Sequence, residues 1–355
     1  MHENTKKKVV IGLSGGVDSS VAALLLNQAG YDVIGVTMDL YQKSTSDVSD
    51  VISDAKKVAD KLNIPFYTLD LKNEFKKYVI DYFAKEYIEG RTPNPCIECN
   101  KHLKFGLMLD KAKELFDADY IATGHYAKIQ LNEHTNRYYI RESGAVGKDQ
   151  TYVLYGLTQE QLKHVLMPLG DYTKEQIREI ARENGFITAN KKDSQEICFV
   201  EDNDYAGFIE RKYDYKPIKG EFIDTSANKY GLHKGIIHYT VGQRRGLGLS
   251  LKTPLYVKKL DAKTNQVILC PKEQLVSDYL ICNNINLITM DKLDKPISAT
   301  VKIRYSAPKV KATLIPLEND IIKVVFDEPQ RAVTPGQAVV FYDKDIVIGG
   351  GTITQ

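Results

Sequence analysis

The most constraining feature of this chain is a short turn between a buried strand and an apolar helix near the N-terminus. Residues 9–13 are strongly apolar, and Ser14-Gly15-Gly16-Val17-Asp18-Ser19-Ser20 leads from them into the helical run 21–26. The glycines let an anion approach the backbone closely, and the turn N–H groups and the helix N-terminus would point at it. The turn has neither the lysine of a P-loop nor a G-x-G-x-x-G fingerprint. It therefore predicts a pyrophosphate site and a reaction that releases AMP; a plain strand-to-helix turn is the alternative.

The first half of the chain alternates strand and helix patterns. Strand patterns at 9–13, 33–38, 66–69 and 120–123 alternate with helical patterns at 19–30, 51–62, 74–89 and 102–116. This rhythm predicts an open, mostly parallel sheet with helices on both faces. Ligands of such sheets bind beyond the carboxyl ends of the strands. We therefore expect the loops after Leu13, Met38 and Thr123 to meet in one crevice.

The pattern changes after residue 204. Glycines interrupt the stretch 220–248, and strand patterns follow at 299–305, 309–316, 321–326 and 337–342. Short strands separated by Pro, Gly, Asn and Asp turns are typical of a small antiparallel barrel or sandwich. The 355 residues are also more than one typical domain. We predict a nucleotide-binding α/β domain with an open parallel sheet at 1–205, a small central domain at 206–278 and a C-terminal antiparallel β-barrel at 279–355.

Charge and hydropathy argue against a membrane protein but leave the class of binding partner open. The net charge is +2, which neither requires nor excludes a nucleic-acid partner, since a local basic face would suffice. No apolar run reaches the ~18 residues of a membrane span, and the short polar N-terminus resembles neither a signal nor a transit peptide. We therefore expect a cytoplasmic protein without a membrane partner. The odd number of cysteines, five, favours free or catalytic thiols in a reducing compartment.

Three cysteines lie in polar segments suited to chemistry. Cys96 and Cys99 follow two prolines at the start of a helical pattern, and Cys198 lies about a hundred residues later. A helix N-terminus lowers the pKa of a thiol, and Lys101 and His102 would act in the same direction. The alternatives are an iron–sulfur cluster with one open iron position, persulfide and thiol chemistry, and inert buried thiols. Zinc is disfavoured because only one close pair exists. Cys270 and Cys282 lie in apolar surroundings and are predicted to be buried structural thiols.

Eight segments along the whole chain match, in order, the motifs of one known family. They are residues 12–20, 90–95 with 99–101, 122–126, 148–152, 193–199, 241–248, 304–305 and 335–337. On these segments the chain resembles the tRNA uridine 2-sulfurtransferases, or tRNA-specific 2-thiouridylases, of the PP-loop ATP pyrophosphatase superfamily. The first segment alone would indicate only the superfamily.

The resemblance implies that ATP adenylates the C2 oxygen of the wobble uridine and that sulfur then replaces it. It implies that Cys198 carries the persulfide and that Cys99 is the nucleophile that forms a disulfide with Cys198. The residues implied to bind ATP are Gly12, Leu13, Ser14, Gly15, Gly16, Val17, Asp18, Ser19, Met38 and Gly124. Those implied to meet the target base are Asn94, Pro95 and Cys96, and those implied to contact tRNA are His125, Lys148, Asp149, Gln150, Arg304, Tyr305 and Gln337.

Cofactors and partners follow from the same resemblance. Mg²⁺ would accompany ATP, bound mostly by phosphate oxygens, with Asp18 assisting it or capping the helix. The partners implied are the anticodon arm of tRNA and a cysteine desulfurase or sulfur-relay protein as donor. The base must leave its stack to react, and Arg244 and Arg245 offer a basic contact for the RNA.

One departure and three rival functions stay open at this point. Many family members have Asp where this chain has Cys96, so the acid–base role assigned to that Asp is in doubt here. The third thiol also favours the first rival, a cluster-dependent tRNA thiolase in which Cys96, Cys99 and Cys198 ligate iron. The others are a PP-loop ligase or amidotransferase acting on a small carboxylate, and an inactive RNA-binding module.

Overall fold

A computed structural model describes residues 6–41, 48–145, 147–191, 197–200 and 203–355, with only the backbone at 48–50. The described chain forms two compact units by its internal contacts. One comprises the described parts of 1–79, 96–195 and 345–348, and the other those of 80–95, 196–344 and 349–355. No described helix is both long enough and apolar enough to cross a membrane.

Strands of the first unit form a parallel sheet and a hairpin. Their bounds are β1 Lys8–Gly12, β2 Asp32–Asp39, β3 Phe66–Asp70, β4 Tyr120–Ala122, β5 Ala127–Asn132, β6 Arg137–Glu142 and β7 Val165–Leu166. The sheet has the order β3-β2-β1-β4-β7, and all its pairs are parallel. Because β1 lies between β2 and β4, the strands that follow β1 are added first on one side of it, as β2 and β3, and then on its other side, as β4 and β7. The loops after β1 and β4 therefore lie side by side at the carboxyl edge, where such sheets bind ligands.

The helices account for most of the remaining regular structure. They are α1 Val17–Gln28, α2 Val48–Leu62, α3 Lys72–Phe75, a π-helix Lys76–Ile80, α4 Asp81–Ile88, α5 Pro95–Glu98, a π-helix Cys99–Leu107, α6 Met108–Phe116, α7 Gln159–Lys163, α8 Lys174–Glu183 and α9 Tyr205–Tyr213. Short 3₁₀ turns occur at Thr151–Val153, Ile236–His238 and Lys272–Gln274. In the first unit, side chains of β1, α1, α2 and α8 share one core, which includes Val9, Val21, Ala55 and Ile177.

The second unit contains the antiparallel barrel. The remaining strands are β8 Gly220–Asp224, β9 Lys229–His233, β10 Tyr256–Asp261, β11 Gln266–Cys270, β12 Val276–Leu287, β13 Ile297–Lys302, β14 Val310–Pro316, β15 Ile322–Arg331, β16 Ala338–Asp343 and β17 Ile346–Ile353. They belong to the second unit except for residues 346–348 of β17, which belong to the first. The barrel order is β12-β15-β14-β13-β16-β17, and pairing of β12 with β17 closes it. A separate sheet has the order β10-β11-β8-β9.

The structure confirms the predicted fold class, with its parallel sheet, central region and C-terminal barrel. Helix α1 ends near the expected glycine: Gly30 has φ +86° just beyond the C-cap Ala29. The N–H groups of Gly30 and Tyr31 donate to the carbonyls of Asn27 and Leu26, as in a Schellman motif.

The structure differs from the sequence patterns in two places. The helix predicted at 102–116 begins at Pro95, because a proline is favourable at a first helical position, where no N–H partner is needed. The sequence patterns also yielded no helix or strand assignment between residues 124 and 183. There the structure has the β5–β6 hairpin, β7, α7 and α8. Apolar and polar residues alternate along β5, which is the pattern of a strand, although half of its residues are exposed.

Candidate active site

The turn after β1 is a compact loop held by its own serines. Gly15 has φ +65°, a conformation that favours glycine. Ser19 accepts a hydrogen bond from the Ser14 N–H at 3.1 Å, and its hydroxyl donates to the Gly16 carbonyl at 3.1 Å. Ser20 donates to the same carbonyl at 2.8 Å. Helix α1 then starts at Val17 with no side chain capping it. Its first N–H groups are therefore available to an anion.

Residues at the carboxyl edge of the sheet surround this loop. A Cβ atom on Gly124 would lie 2.8 Å from the Ser19 nitrogen and 2.9 Å from the Asp18 carbonyl carbon, so the loop after β4 presses against the start of α1. Leu13 is fixed to β2, because its N–H donates to the Val36 carbonyl at 2.7 Å. Met38 is half-buried near the end of β2. The structure thus brings the loops after β1 and β4 together, as the strand order predicts.

Asp18 is an ion-paired carboxylate and does not cap α1. The Lys174 ammonium contacts its two oxygens at 2.7 and 2.8 Å, and the Tyr126 hydroxyl donates to it at 2.6 Å. The N-cap of α1 is Gly16, and no side-chain hydrogen bond caps the helix N-terminus. Of the two alternatives for Asp18, assisting Mg²⁺ or capping the helix, capping was therefore wrong.

The sequence analysis did not identify the residues outside the loop after β1 that hold this loop in place. Lys191 donates to the Gly15 carbonyl at 3.1 Å and pairs with Asp54 at 2.6 Å. The Thr188 hydroxyl, fully buried, donates to Ser20 at 3.1 Å. These residues are distant in sequence from the loop and belong to no motif. Only their tertiary contacts reveal them.

Cys99 is buried within a helix, with 8% of its surface exposed. Burial raises the pKa of its thiol; the Lys104 ammonium opposes this shift and Cys96 adds to it. The expected lowering of the Cys99 pKa was therefore wrong, because the helix starts four residues earlier and desolvation dominates. His102 instead pairs with Glu98 at 3.2 Å and stacks on Tyr78.

Asn100, the neighbour of Cys99, is 1% exposed. Its amide donates to the Val153 carbonyl at 2.9 Å. Among the described residues its buried Oδ1 has no hydrogen-bond partner. This acceptor and the buried thiol occupy successive positions of the same helix.

The other cysteines differ sharply in exposure. Cys96 and Cys198 are exposed, whereas Cys270 and Cys282 are fully buried, which confirms the prediction for the latter two. Burial raises the pKa of the Cys282 thiol to about 12. Within the described ranges, no group of three His, Cys, Asp or Glu side chains is arranged to hold a metal ion. Residues 193–196 of the matching segment around Cys198 lie outside the described residues.

The loop that leads to Asn94, predicted to meet the target base, is held by hydrogen bonds within the second unit. The Gln337 amide donates to the Thr92 carbonyl at 2.7 Å, and the Thr92 N–H donates to the Pro335 carbonyl at 2.9 Å. Arg91 pairs with Glu86 at 2.5 Å, and this pair raises the Arg91 pKa. Asn94 is half-buried and Pro95 is buried. Gln337, expected to contact RNA, thus fixes the backbone of this loop.

The predicted RNA contacts in the first unit lie partly in its interior. His125 is 8% exposed and bonds the Thr123 hydroxyl at 2.7 Å, and burial holds its pKa well below the usual range. Asp149 accepts a hydrogen bond from the Thr151 hydroxyl at 2.6 Å. Gln150 accepts one from the Tyr126 N–H at 2.9 Å, and Lys148 is half-buried.

The remaining predicted RNA contacts lie in the second unit. Tyr305 is 44% exposed, with the Lys302 ammonium 5.7 Å from its ring centroid. Arg304 is half-buried and donates to the Arg331 carbonyl at 3.4 Å. Arg244 and Arg245 are exposed in a glycine-rich turn. Aromatic and cationic side chains of this kind bind bases and phosphates.

The sequence matches three family models in succession. They are described as a tRNA methyl transferase HUP domain over residues 7–202, a tRNA methyl transferase PRC-barrel domain over 206–271 and an aminomethyltransferase beta-barrel domain over 277–353. Curated relatives named tRNA-specific 2-thiouridylase MnmA are similar over almost their whole length. The protein of Acetivibrio thermocellus is 52% identical, and those of Clostridium beijerinckii and Clostridium perfringens are 53% identical. Each alignment covers 98% of this chain and 99% of the relative. The chain therefore belongs to the tRNA-specific 2-thiouridylase family.

Proposed function

We propose that this protein uses ATP to replace the C2 oxygen of the wobble uridine of tRNA with sulfur. The products are 2-thiouridine, AMP and pyrophosphate. The observation that carries the proposal is the similarity to relatives named 2-thiouridylases over 98% of the chain. The anion-binding loop at the carboxyl edge of the parallel sheet supports it.

ATP is bound in this proposal with its phosphates at the Ser14–Ser19 loop. Gly12, Leu13, Gly15, Gly16, Val17 and Asp18 complete the loop, and Met38 and Gly124 flank the adenosine. Backbone N–H groups at the start of α1 and the serine hydroxyls hold the phosphates. The uridine oxygen attacks the α-phosphorus and pyrophosphate leaves. The C2 oxygen then departs as part of AMP, a far better leaving group than the oxygen alone.

Sulfur transfer uses Cys198 and Cys99 in turn. The terminal sulfur of a Cys198 persulfide attacks C2, and the C2–oxygen bond breaks with loss of AMP. The Cys99 thiolate then attacks the Cys198 sulfur, and the electrons of the broken S–S bond stay on the sulfur attached to C2. The Cys99–Cys198 disulfide must be reduced by an external thiol before the next turnover. Exposure of Cys198 suits loading by a donor, whereas the raised pKa of Cys99 requires it to lose a proton before attack.

The RNA and the remaining partners complete the proposal. Asn94, Pro95 and Cys96 meet the unstacked uridine, and His125, Lys148, Asp149, Gln150, Arg304, Tyr305 and Gln337 contact tRNA or hold the segments that do. Mg²⁺ would be held mostly by phosphate oxygens, because Asp18 is already engaged by Lys174. A cysteine desulfurase or relay protein supplies the sulfur, and the reaction takes place in the cytoplasm, where tRNA is used. We assign the domains as 1–205, 206–278 and 279–355.

The proposal is tested with variants of the two cysteines. Cys99→Ser and Cys198→Ser should each abolish thiolation in a purified assay with ATP, tRNA and a persulfide donor, while tRNA binding is retained. Cys270→Ala, a buried thiol outside the site, is the matched control and should thiolate normally. AMP formation that persists without tRNA and without Cys198 would favour a ligase acting on a small carboxylate. Unchanged wobble 2-thiouridine in cells lacking the protein, measured by nucleoside mass spectrometry, would refute the proposal.

A further inference from the structure

A buried lysine lies beside the phosphate loop, and no sequence motif or assigned role accounts for it. Lys174 is 7% exposed and contacts the carboxylate oxygens of Asp18 at 2.7 and 2.8 Å. The Tyr126 hydroxyl donates to the same carboxylate at 2.6 Å. Buried ammonium groups are costly unless they are paired. Pairing with Asp18 therefore offsets the cost of burying Lys174, and the ammonium offsets the negative charge of the Asp18 carboxylate.

The fold fixes this lysine from both sides. Thr173 caps α8 in a capping box with Gln176, so Lys174 is the first helical residue. Ile177 and Ala181 of α8 pack in the same core as residues of α1. Because α1 also carries Asp18 in its first turn, packing of the two helices holds the ammonium against the carboxylate.

Asp18 presents a difficulty for a loop that binds anions. A carboxylate and a phosphate about 6 Å apart repel each other, and with an effective dielectric constant of about 20 this corresponds to roughly a hundredfold loss of affinity. The sequence has no lysine within the loop to offset this charge, unlike a P-loop. A cation from elsewhere in the fold would remove the repulsion.

We propose that Lys174 is a positioning residue that neutralises and orients Asp18, so that the Ser14–Ser19 loop accepts the phosphates of ATP and the pyrophosphate product. This inference rests on the proposed function only in taking the loop as the phosphate site. Lys174 acts through Asp18 and makes no contact with the phosphates. The Tyr126 hydroxyl orients the same carboxylate.

The test is a double-mutant cycle on the full chain with inorganic pyrophosphate as the probe. Titration calorimetry without tRNA compares the wild type with Lys174→Met, Asp18→Asn and the double variant, and thermal unfolding checks that each is folded. Lys174→Met should weaken pyrophosphate binding about 10- to 100-fold. Adding Asp18→Asn should restore affinity to within about threefold of Asp18→Asn alone. Lys56→Met, which breaks the exposed Lys56–Asp60 pair, is the matched control and should bind normally.

Other affinities of these variants distinguish the role through Asp18 from its alternatives. A double variant as weak as Lys174→Met would mean that the ammonium contacts the anion directly. If Lys174→Met does not fold, equal affinity of Asp18→Asn and the double variant supports the role through Asp18, and unequal affinity refutes it. Pyrophosphate binding that is insensitive to Lys174 refutes this inference alone. Failure of the wild type to bind pyrophosphate refutes both the inference and the phosphate-loop assignment.

Discussion

Replacing Gly124 with alanine should damage the nucleotide site and the stability of the first unit together. A Cβ atom there would lie 2.8 Å from the Ser19 nitrogen, 2.9 Å from the Asp18 carbonyl carbon and 3.1 Å from the Asp18 Cβ, and real Cβ atoms essentially never approach closer than 3.0 Å. Two of these atoms are backbone at the start of α1 and cannot rotate away. The start of α1 and the loop after β4 must therefore move apart.

The magnitude follows from the cost of overpacking. Inserting one methyl group into a tight contact costs about 1–3 kcal/mol, which for a unit of this size lowers the unfolding midpoint by about 2–12 °C. ATP affinity should fall at least about tenfold, because the first N–H groups of α1 are displaced.

The assay pairs thermal unfolding, followed by circular dichroism, with ATP binding measured by calorimetry. Gly144→Ala is the matched control, because among the described residues a Cβ there meets only the Asp171 carbonyl oxygen at 3.9 Å, an ordinary contact. If Gly124→Ala matches this control in both measurements, Gly124 does not press on the phosphate loop and the reasoning fails.

Three further predictions concern individual contacts. Alkylation of Cys99 should begin at higher pH than alkylation of a free cysteine, because burial raises the pKa of the Cys99 thiol. The protonated thiol stabilises the fold at pH values below the pKa of Cys99 in the unfolded chain. This contribution is lost as the pH rises through the pKa of Cys99 in the folded protein. Peptide mass spectrometry across pH checks this, and alkylation at neutral pH contradicts it. Gln337→Leu removes the amide donor to the Thr92 carbonyl and should cost about 1 kcal/mol in urea unfolding; an unchanged midpoint contradicts it. Thr188→Val leaves the buried Ser20 hydroxyl without its donor and should cost about 1–3 kcal/mol, measured in the same way against the wild type; a loss below 0.5 kcal/mol, of the order expected at a neutral surface site, contradicts it.

Local patterns predicted much of the fold. The strand at 9–13 and the alternation that follows were sufficient to predict the parallel sheet, because buried strands and amphipathic helices have different apolar periods. The hairpin β5–β6 was not predicted, although apolar and polar residues alternate along β5. The helix that carries Cys99 begins at Pro95, earlier than predicted. A proline is compatible with both a loop and a first helical turn, so the prolines did not show where this helix begins.

The sequence by itself determined the strand–turn–helix at 9–26, the fold class and the buried state of Cys270 and Cys282, because these depend on residue types close together in the chain. Only the tertiary structure decided the environments of the site. It buries Cys99 and raises its pKa, places Lys174 on Asp18 and turns Gln337 onto the loop at Thr92. Each of these depends on packing of segments far apart in sequence, and desolvation and ion pairing act through distances in space that no local pattern encodes.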